Sequence, residues 1–417
     1  MVSRLSFHAT GATAALVLAL GALARPAAAA PEAVRVELLT MGRGEDLYTR
    51  FGHAAFRVRG GGHDDAVYNY GYTDFGAPGL IFDFLRGKAR FWVVADSYAA
   101  TVRYYRRENR GIRRIPLNLT DAQHRALASR LARNLLPENR TYTYHHYLDN
   151  CTTRLRDLLD DVTGGAVERQ LRGRPTGYTF RDLTREGFAG RLEVLALSEL
   201  LLGRALDRPV DAWTGGFLPM FLEPDLGKVQ VGGRSLLGPV DVLHRRVGPE
   251  ANQGNPLAGV TLLGLTAGGL ALLGALALYL ARKRSRWTGL CLVPSALLVG
   301  LNGLLVWSLV LFVKLPEIRE NELALLLWPT DLLLLWPAVR LLRGRLFVGA
   351  LLRGYLKARL AGVALLLLGH AVGLLHQEPR LWLLFGLALV PGWLCLLRLP
   401  RTLAVEGPLP SATAVEA

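Results

Sequence analysis

Five long apolar runs after residue 256 constrain the fold of this chain more than any other feature. They cover residues 257–281, 289–313, 323–342, 360–376 and 381–398. A helix needs about 20 mostly apolar residues to cross a bilayer, and these runs are apolar on every side. A buried helix of a soluble protein would be shorter and amphipathic. The pattern predicts an all-α membrane domain of five transmembrane helices, followed by a cytoplasmic tail at 401–417.

The N-terminus has the pattern of a secretory signal. Arg4 precedes the apolar run ATAALVLALGAL, and the small residues PAAAA follow. A basic start, a short apolar run and a small-residue cleavage site are typical of a signal peptide, and the run is too short to span a membrane comfortably. We therefore predict a signal peptide at 1–30 and an exported domain from residue 31 to residue 256.

The basic residues predict the orientation in the membrane. The segments ARKRSR (281–286), 340–359 and RLPR are rich in Lys and Arg, whereas the alternate loops KLPEIRENE and HQEPR also carry acids. By the positive-inside rule the first set is cytoplasmic, which makes this a multi-pass protein of the inner membrane with a periplasmic N-terminal domain. Because this topology accounts for much of the net charge of +15, we expect no nucleic-acid partner.

Cys151 is the only cysteine of the predicted exported domain, since Cys291 and Cys395 lie in apolar runs. It cannot form a disulfide within that domain. Three explanations stay open at this point: a reactive thiol, an inert buried thiol, and a disulfide to another chain.

The residues around Cys151 favour a reactive thiol. Asp149 and Asn150 are good helix N-cap residues, and Gly164 and Gly165 provide a stop. Between them, apolar residues recur at helical spacing (Leu155, Leu158, Leu159 and Val162). Cys151 therefore falls in the first turn of a helix. There the free N–H groups and the helix dipole favour the thiolate, and its own N–H could help to bind an oxyanion.

A thiolate nucleophile needs a base, and His53 is the leading candidate. It begins the strand-like run HAAFRVR, and a glycine-rich turn leads to a second strand, AVYNYGY. If the turn centres near Gly61, His53 lies opposite Asn69, whose amide could orient the imidazole. A slip of one residue would bring Tyr68 or Tyr70 opposite instead.

Other residues have alternative roles. His145 and His146 remain possible bases, and His124 is expected on a solvated helix face. Candidate metal ligands include His63 and Asp64, but the chain has neither HExxH nor CxxC, so no metal and no cofactor is predicted. We expect three residues near Cys151 to bind substrate, with the arginine suited to a phosphate or carboxylate. They are Arg154, Tyr144 and Asn150.

Several segments together resemble a known family. LLTMGRGEDLYTRFGHAAFRV, VYNYGYTDF, LPENRTYTYHHYLDNCTTRLRD and FLPMFLEP are similar to the N-terminal periplasmic domain of the Lnb family, which includes lipoprotein N-acyltransferases. The order of histidine before cysteine also resembles permuted papain-like folds, such as NlpC-related amidases and the lecithin:retinol acyltransferase group. The resemblance implies His53 as catalytic base and Cys151 as nucleophile, although this chain has His145 where the family usually has an acidic residue.

The fold class expected is an α+β domain with an antiparallel sheet, permuted papain-like, ahead of the helical membrane domain. We predict a catalytic core at 31–165 and an accessory, membrane-proximal region at 166–256. The function expected is an acyltransferase that forms a thioester on Cys151, acting on lipoproteins or phospholipids. A thiol hydrolase of cell-wall amides or lipid esters is the alternative, and a non-enzymatic sensor or binding module is a third. The oligomeric state is not predicted.

Overall fold

The computed structural model describes residues 32–281, 285–344 and 348–399. The predicted signal peptide at 1–30 and the tail at 401–417 lie outside the described residues, so both stay predictions. An α+β domain with an antiparallel sheet precedes a helical region, as expected from the sequence. The permuted papain-like topology stays a prediction.

A seven-stranded antiparallel sheet forms the centre of the N-terminal domain. The strands of the described chain are β1 (Arg35–Met41), β2 (His53–Gly60), β3 (His63–Tyr72), β4 (Arg90–Ser97), β5 (Ile112–Pro116), β6 (Thr141–Thr143), β7 (Pro175–Thr179), β8 (Pro209–Asp211), β9 (Gln230–Val231), β10 (Arg234–Ser235) and β11 (Asp241–His244). The sheet order is β11-β5-β1-β2-β3-β4-β6, and the remaining strands form two small ribbons, β7 with β8 and β9 with β10.

Helices cover the sheet and build the rest of the chain. They are α1 (Leu80–Leu85), α2 (Tyr98–Arg107), α3 (Asp121–Asn134), α4 (Cys151–Val162), α5 (Ala166–Leu171), α6 (Phe180–Phe188), α7 (Leu192–Leu201), α8 (Ala212–Gly215), α9 (Pro219–Leu226), α10 (Ala258–Leu280), α11 (Ser285–Phe312), α12 (Pro316–Arg319), α13 (Leu335–Leu342), α14 (Ala350–Ala371) and α15 (Pro379–Arg398).

The alternation of side chains along β2 divides the core into two layers. Ala54, Phe56 and Val58 pack in one cluster with residues of α3 and α4. Ala55 belongs to a second cluster, on the other face, which includes Tyr105 of α2. This is the period-two pattern of a sheet covered on both faces, and burying each large apolar side chain contributes about 1.5–3 kcal/mol. The two layers meet at the end of the sheet where β2 begins.

The helix α3 corrects one expectation. His124 does not lie on a solvated face: it is buried, and its Nδ1 accepts a hydrogen bond from the backbone N–H of Val36 at 3.1 Å. Burial lowers the pKa of His124, and the nearby Arg35 lowers it further. A capping box at Thr120 begins this helix, and the face that carries His124 packs against β1.

The region after residue 165 packs on the same core. Val167, Leu171, Trp213 and Leu222 share a cluster with Leu155 of α4. Strand β11 also joins the main sheet by pairing with β5. The predicted limits 31–165 and 166–256 stay predictions, and the packing is continuous across them.

Three described segments are long and apolar enough to cross a membrane. They are Ala258–Leu280, Arg286–Phe312 and Pro316–Leu342. The third is not one continuous helix, because 3-10 turns at Glu322–Leu325 and Pro329–Leu334 interrupt it. Helix α14 is membrane-length but charged in its first half, and α15 has a shorter apolar stretch, Leu384–Arg398. The five-span count therefore stays a prediction.

Buried contacts join the N-terminal domain to the helical region. Asn321 Nδ2 donates to the carbonyl of Leu200 at 2.9 Å, and Gly203 N–H donates to the carbonyl of Glu317 at 2.6 Å. Arg185 of α6 forms ion pairs with Glu199 of α7 and with Glu378, which precedes α15. These contacts fix the domain against the outer ends of the membrane helices.

Candidate active site

Cys151 is the first residue of α4, as its sequence context predicts. Asn150 caps this helix: its side chain accepts from the N–H groups of Thr152 and Thr153. The cap does not use the N–H of Cys151 itself. The half-buried thiol therefore lies at the positive end of the helix dipole, next to a backbone donor that an oxyanion could use.

His53 reaches Cys151 from the start of β2. The charge of His53 lowers the pKa of the Cys151 thiol, and Cys151 Sγ lies 3.5 Å from Thr152 Oγ1. The fold thus brings together residues almost a hundred positions apart. The imidazole comes from the central ribbon of the sheet, and the thiol comes from the helix layer that packs on it.

The predicted pairing of His53 with Asn69 needs a correction in register. Phe56 lies opposite Tyr68, and Gly60 lies opposite His63, with an irregularity between Val58 and Gly60. Extending this register places Asn69 level with Ala55, two residues from the predicted position. The two-residue turn at Gly61 and Gly62 and the irregularity shift the ladder, but a shift of two keeps Asn69 on the same face as His53.

Asn69 contacts the histidine, and its orienting role stays a prediction. His53 Nε2 lies 3.2 Å from Asn69 Oδ1, and Asn69 Nδ2 donates to Asp96 Oδ2 at 3.0 Å. An amide oxygen can only accept, so Nε2 carries a proton and donates. Nδ1 is then the nitrogen available to exchange a proton with the thiol. Asp96 completes a polar series that the sequence did not reveal.

The electrostatics of this group favour the thiolate. Burial alone would raise the pKa of Cys151, but the charge of the nearby His53, aided by the Thr152 hydroxyl, lowers it from 9.0 to about 7. The thiolate is the nucleophilic form of cysteine, so a substantial fraction is reactive near neutral pH. Of the three explanations for the lone cysteine, this geometry favours the reactive thiol.

The neighbouring histidines are held elsewhere. His145 Nε2 lies 3.5 Å from Glu317 Oε1, at the membrane end of the domain. His146 packs against Phe51, Tyr147 and Phe217. Burial, followed by the charge of His145, lowers the pKa of His146 to about 4, so its imidazole stays neutral. Neither ring shares the contacts that His53 makes with Cys151 and Asn69.

Gly71 and Tyr142 also adjoin the thiol, and sequence reasoning missed both. A Cβ placed on Gly71 would lie 3.8 Å from Cys151 Cβ and 3.9 Å from the Tyr142 hydroxyl oxygen. That buried hydroxyl has no hydrogen-bond partner among the residues described. A buried polar group without a partner is costly, so its presence beside a nucleophile suggests a partner that arrives with the substrate. Only the position of Tyr142 on the strand leading to Cys151 could have pointed to it.

The three predicted substrate-binding residues have protein partners. Arg154 forms a bidentate ion pair with Asp149 at 2.5 and 2.7 Å and lies over the Tyr142 ring. Tyr144 stacks on Phe91 with 4.2 Å between ring centroids. Asn150 is buried, and its Nδ2 donates to the carbonyls of His146 and Phe217. Asn150 therefore positions α4, and substrate contact by any of the three stays a prediction.

A cleft of about 450 Å³ opens beside His53. His53, Asn69, Gly71 and Asp96 line it, and Arg110 lies at one side. Four exposed aromatic side chains form its rim: Tyr48, Tyr72, Phe75 and Tyr104. A larger cavity of about 620 Å³ lies across Gly52, but its lining does not include His53. Cys151 is a lining residue of neither cavity, and Gly71 of the smaller cleft is the lining residue next to it. The smaller cleft is therefore the candidate substrate site.

Among the residues that the structure describes, no three His, Cys, Asp or Glu side chains are grouped to hold a metal ion. The residues of the site fit general acid–base and nucleophilic chemistry. The site has the thiol of Cys151, the imidazole of His53 and the amide of Asn69, and the backbone N–H of Cys151 and the hydroxyl of Tyr142 are the hydrogen-bond donors beside them.

Comparison with known proteins gives one family match. Residues 25–186 match the family described as the Lnb N-terminal periplasmic domain, which confirms the resemblance noted in the sequence. The matched segment contains His53, Asn69 and Cys151. No curated protein and no solved structure shows a significant match to the chain.

Proposed function

Because residues 25–186 form an Lnb N-terminal periplasmic domain and membrane-length apolar helices follow it, we propose that this membrane protein is a thiol acyltransferase working outside the cytoplasmic membrane. The observation that carries the proposal is the position of Cys151 as the first residue of α4, at the positive end of the helix dipole, where the charge of His53 also lowers the pKa of the thiol to about 7. The Asn69 contact that fixes the imidazole supports the same role.

The first half of the reaction forms a thioester. The Cys151 thiolate attacks the carbonyl carbon of an acyl ester, and the negative charge moves to the carbonyl oxygen. The N–H of Cys151 and the Tyr142 hydroxyl are the donors proposed to bind this oxyanion. As the intermediate collapses, the C–O bond breaks and the His53 imidazolium gives its proton to the leaving alkoxide.

The second half transfers the acyl group to an amine. The amine nitrogen attacks the thioester carbon, the C–S bond breaks, and His53 accepts the amine proton. The products are an amide and the regenerated thiolate–imidazolium pair. The acyl donor is proposed to be a membrane lipid or lipoprotein, and the amine a lipoprotein N-terminus.

The membrane helices support a lipid substrate. Lys314 N–H, just beyond α11, donates to the carbonyl of Leu85 at 3.2 Å. The domain therefore sits directly on the end of an apolar helix, close to the ester groups of the outer leaflet. Such anchoring raises the local concentration of acyl esters at the thiol. A multi-pass arrangement in the inner membrane is part of this proposal.

Mass spectrometry of the full-length protein in lipid nanodiscs tests the proposal. We expect an acyl adduct on Cys151 that disappears on adding a peptide with a free N-terminal amine, together with formation of the acylated peptide. Cys151→Ser should shift the adduct to a stable oxygen ester or abolish it. His63→Ala, which removes an exposed histidine at the start of β3, is the control and should retain the adduct.

Two results would contradict the proposal in different ways. Loss of the adduct to water at the same rate with and without amine would indicate a hydrolase built on the same dyad. No adduct on Cys151 with any ester, together with full function of Cys151→Ala in cells, would indicate the non-enzymatic sensor or binding module.

A further inference from the structure

A buried arginine in the cleft lacks a counter-ion. Arg110 is 4% exposed and lines the cleft beside His53. Its Nε donates to the Gly42 carbonyl at 2.9 Å, and its guanidinium lies over the Tyr105 ring. Its Nη2 is buried without a hydrogen-bond partner, and Arg110 forms no ion pair within the described part of the chain.

Burying the Arg110 guanidinium without a counter-ion costs free energy unless a bound anion pairs with it. A buried cation without a counter-ion loses hydration that one carbonyl does not replace. The lining residues of the cleft include one carboxylate, Asp96, which accepts from Asn69. Tyr105, whose ring the guanidinium covers, lines the same cleft as His53. An anionic group on the substrate would supply the missing counter-ion and hydrogen-bond acceptor for the guanidinium, while the rest of the substrate reaches the thiol.

The surface around the cleft indicates where that substrate comes from. Ile81 and Phe82 of α1 are exposed, and a Cβ on Gly87, just after α1, would lie 3.6 Å from Leu315 at the end of α11. Exposed apolar side chains at the end of a membrane helix are suited to the bilayer interface.

Aromatic rings connect this surface to the rim of the cleft. Phe84 of α1 contacts Tyr144, which stacks on Phe91; Phe91 in turn meets Phe75 edge-on. Phe75 then stacks on Tyr48 with 4.2 Å between centroids, and both rings line the cleft. Phe91 is buried, so this series is a packed connection, and the exposed rings of Phe75 and Tyr48 are the part that an apolar acyl chain could contact while the cleft holds a polar headgroup.

We infer that Arg110 binds the phosphate of a membrane phospholipid and so selects the acyl donor. This inference rests on the proposed acyl transfer, and it assigns the donor to lipids that carry phosphate. A guanidinium is well suited to phosphate because its N–H groups match two phosphate oxygens.

A single-turnover assay in nanodiscs tests the inference on the full-length protein. The rate of thioester formation on Cys151 is measured with phosphatidylglycerol, with diacylglycerol of the same acyl chains, and with a small neutral nitrophenyl ester. Wild type should react on the order of 10- to 100-fold faster with the phosphate lipid, the range of one hydrogen bond between charged groups. Free glycerol phosphate should not accelerate the diacylglycerol reaction.

Substitutions then assign the effect to one side chain. Arg110→Met should lose the preference for the phosphate lipid and keep the nitrophenyl ester rate within about 2-fold, and Arg110→Lys should recover part of the preference. Arg107→Met, which removes an exposed charge at the end of α2, should behave as wild type.

The outcomes separate the two proposals. Equal rates with both lipids in wild type, a preference retained in Arg110→Met, or acceleration by free glycerol phosphate would each overturn the role of Arg110. If Arg110→Met does not fold, Arg110→Lys decides: a preference as large as that of wild type would overturn the role of Arg110, and a partial loss would support it. No thioester with any of the three donors would instead contradict the acyltransferase itself.

Discussion

At the residue scale, we expect the orientation of the His53 ring to depend on its hydrogen bond to Asn69. Its Nε2 contact with Asn69 fixes the proton on that nitrogen and leaves Nδ1 for the thiol. Asn69 does not touch the reacting atoms in this arrangement. It is a positioning residue, and its effect should appear in the chemical step rather than in binding.

Asn69→Ala should lower kcat for acyl transfer by about 10-fold with little change in KM, because one orienting hydrogen bond of about 1.5 kcal/mol is lost. The double variant Asn69→Asp/Asp96→Asn should recover much of the rate, since it keeps an acceptor facing Nε2 and reverses the hydrogen bond to position 96 without bringing two carboxylates together. The control is Asn118→Ala, which removes an exposed hydrogen bond to the Ser235 carbonyl and should leave kcat unchanged. A larger change in KM than in kcat would contradict a positioning role.

Tyr142→Phe separates catalysis from stability. The hydroxyl has no protein partner, so its removal should change the free energy of unfolding by less than about 0.5 kcal/mol. If it binds the oxyanion, thioester formation should slow by roughly 100-fold. Tyr70→Phe is the matched control: its hydroxyl accepts from Asn134 at 2.7 Å, so stability should fall and the rate should hold. An unchanged rate in Tyr142→Phe would remove Tyr142 from the mechanism.

Some of these residues could be predicted from the sequence, and others could not. Cys151 stood out because the exported domain has no second cysteine, and a cap and helical spacing surround it. His53 and Asn69 could be predicted from the hairpin pattern, because a shift of two residues in the strand pairing keeps both side chains on the same face of the sheet. Tyr142 and Arg110 do not stand out in the sequence. Among the described residues, each is distinguished by a buried polar atom without a hydrogen-bond partner: the hydroxyl of Tyr142 and Nη2 of Arg110.

At the element scale, an irregularity in β3 makes room for the thiol. The pairing of β3 with β4 shifts between Asn69 and Tyr72, and Gly71 within this irregularity has a φ of 91°. A bulge beside a functional site commonly redirects the strand. Here the missing side chain of Gly71 leaves the space in which Cys151 and Tyr142 approach each other.

Gly71→Ala should therefore have two separable effects. The left-handed backbone should cost about 1–2 kcal/mol of stability, and the added methyl should slow alkylation of Cys151 by a bulky reagent several-fold. Gly62→Ala has a φ of 79° and no atom within 4 Å of its new methyl, so it should cost similar stability without slowing alkylation. Equal alkylation rates in the two variants would contradict the placement of Gly71 beside the thiol.

The strand and helix order was largely predictable, because amphipathic periods and caps are local signals. The hairpin register was not, since three consecutive glycines allow several turns of different length. The third apolar segment shows a different limit. Composition predicts one span over 323–342. In the structure, Pro329 and the preceding 3-10 turn interrupt the helix. Side chains such as Asn321, which accepts from the N–H of Leu323, provide hydrogen bonds that the broken helix lacks.

At the scale of the whole molecule, buried charges hold the exported domain on its membrane helices. Arg185 bonds to Glu199, with Nη2 at 2.9 Å from Oε2, and also pairs with Glu378. Glu199 is 1% exposed, and its next cation, Arg181, lies 3.6 Å away. This junction joins the N-terminal domain to the helical region, and no sequence pattern predicted it because Glu378 lies far from Arg185 and Glu199 in the chain.

Arg185→Met should destabilise the protein by about 3–5 kcal/mol, because it leaves the buried Glu199 carboxylate with a weaker partner. Thermal unfolding in detergent measures the loss, and limited proteolysis should show cleavage between the domain and α10. Arg191→Met removes an exposed pair with Glu193 and should cost less than about 1 kcal/mol. Equal stability of the two variants would show that the junction does not depend on Arg185.

The central claim, that His53 activates Cys151, is tested most directly by the rate of iodoacetamide alkylation as a function of pH. Cys151→Ser gives the background from Cys291 and Cys395, and His63→Phe is the histidine control. In wild type the rate should rise with a midpoint near pH 7, because the thiolate forms above that pKa. In His53→Phe the midpoint should move above 9, since burial then acts without the imidazolium. A wild-type midpoint of 8.5 or higher, or one that His53→Phe leaves unchanged, would contradict the claim.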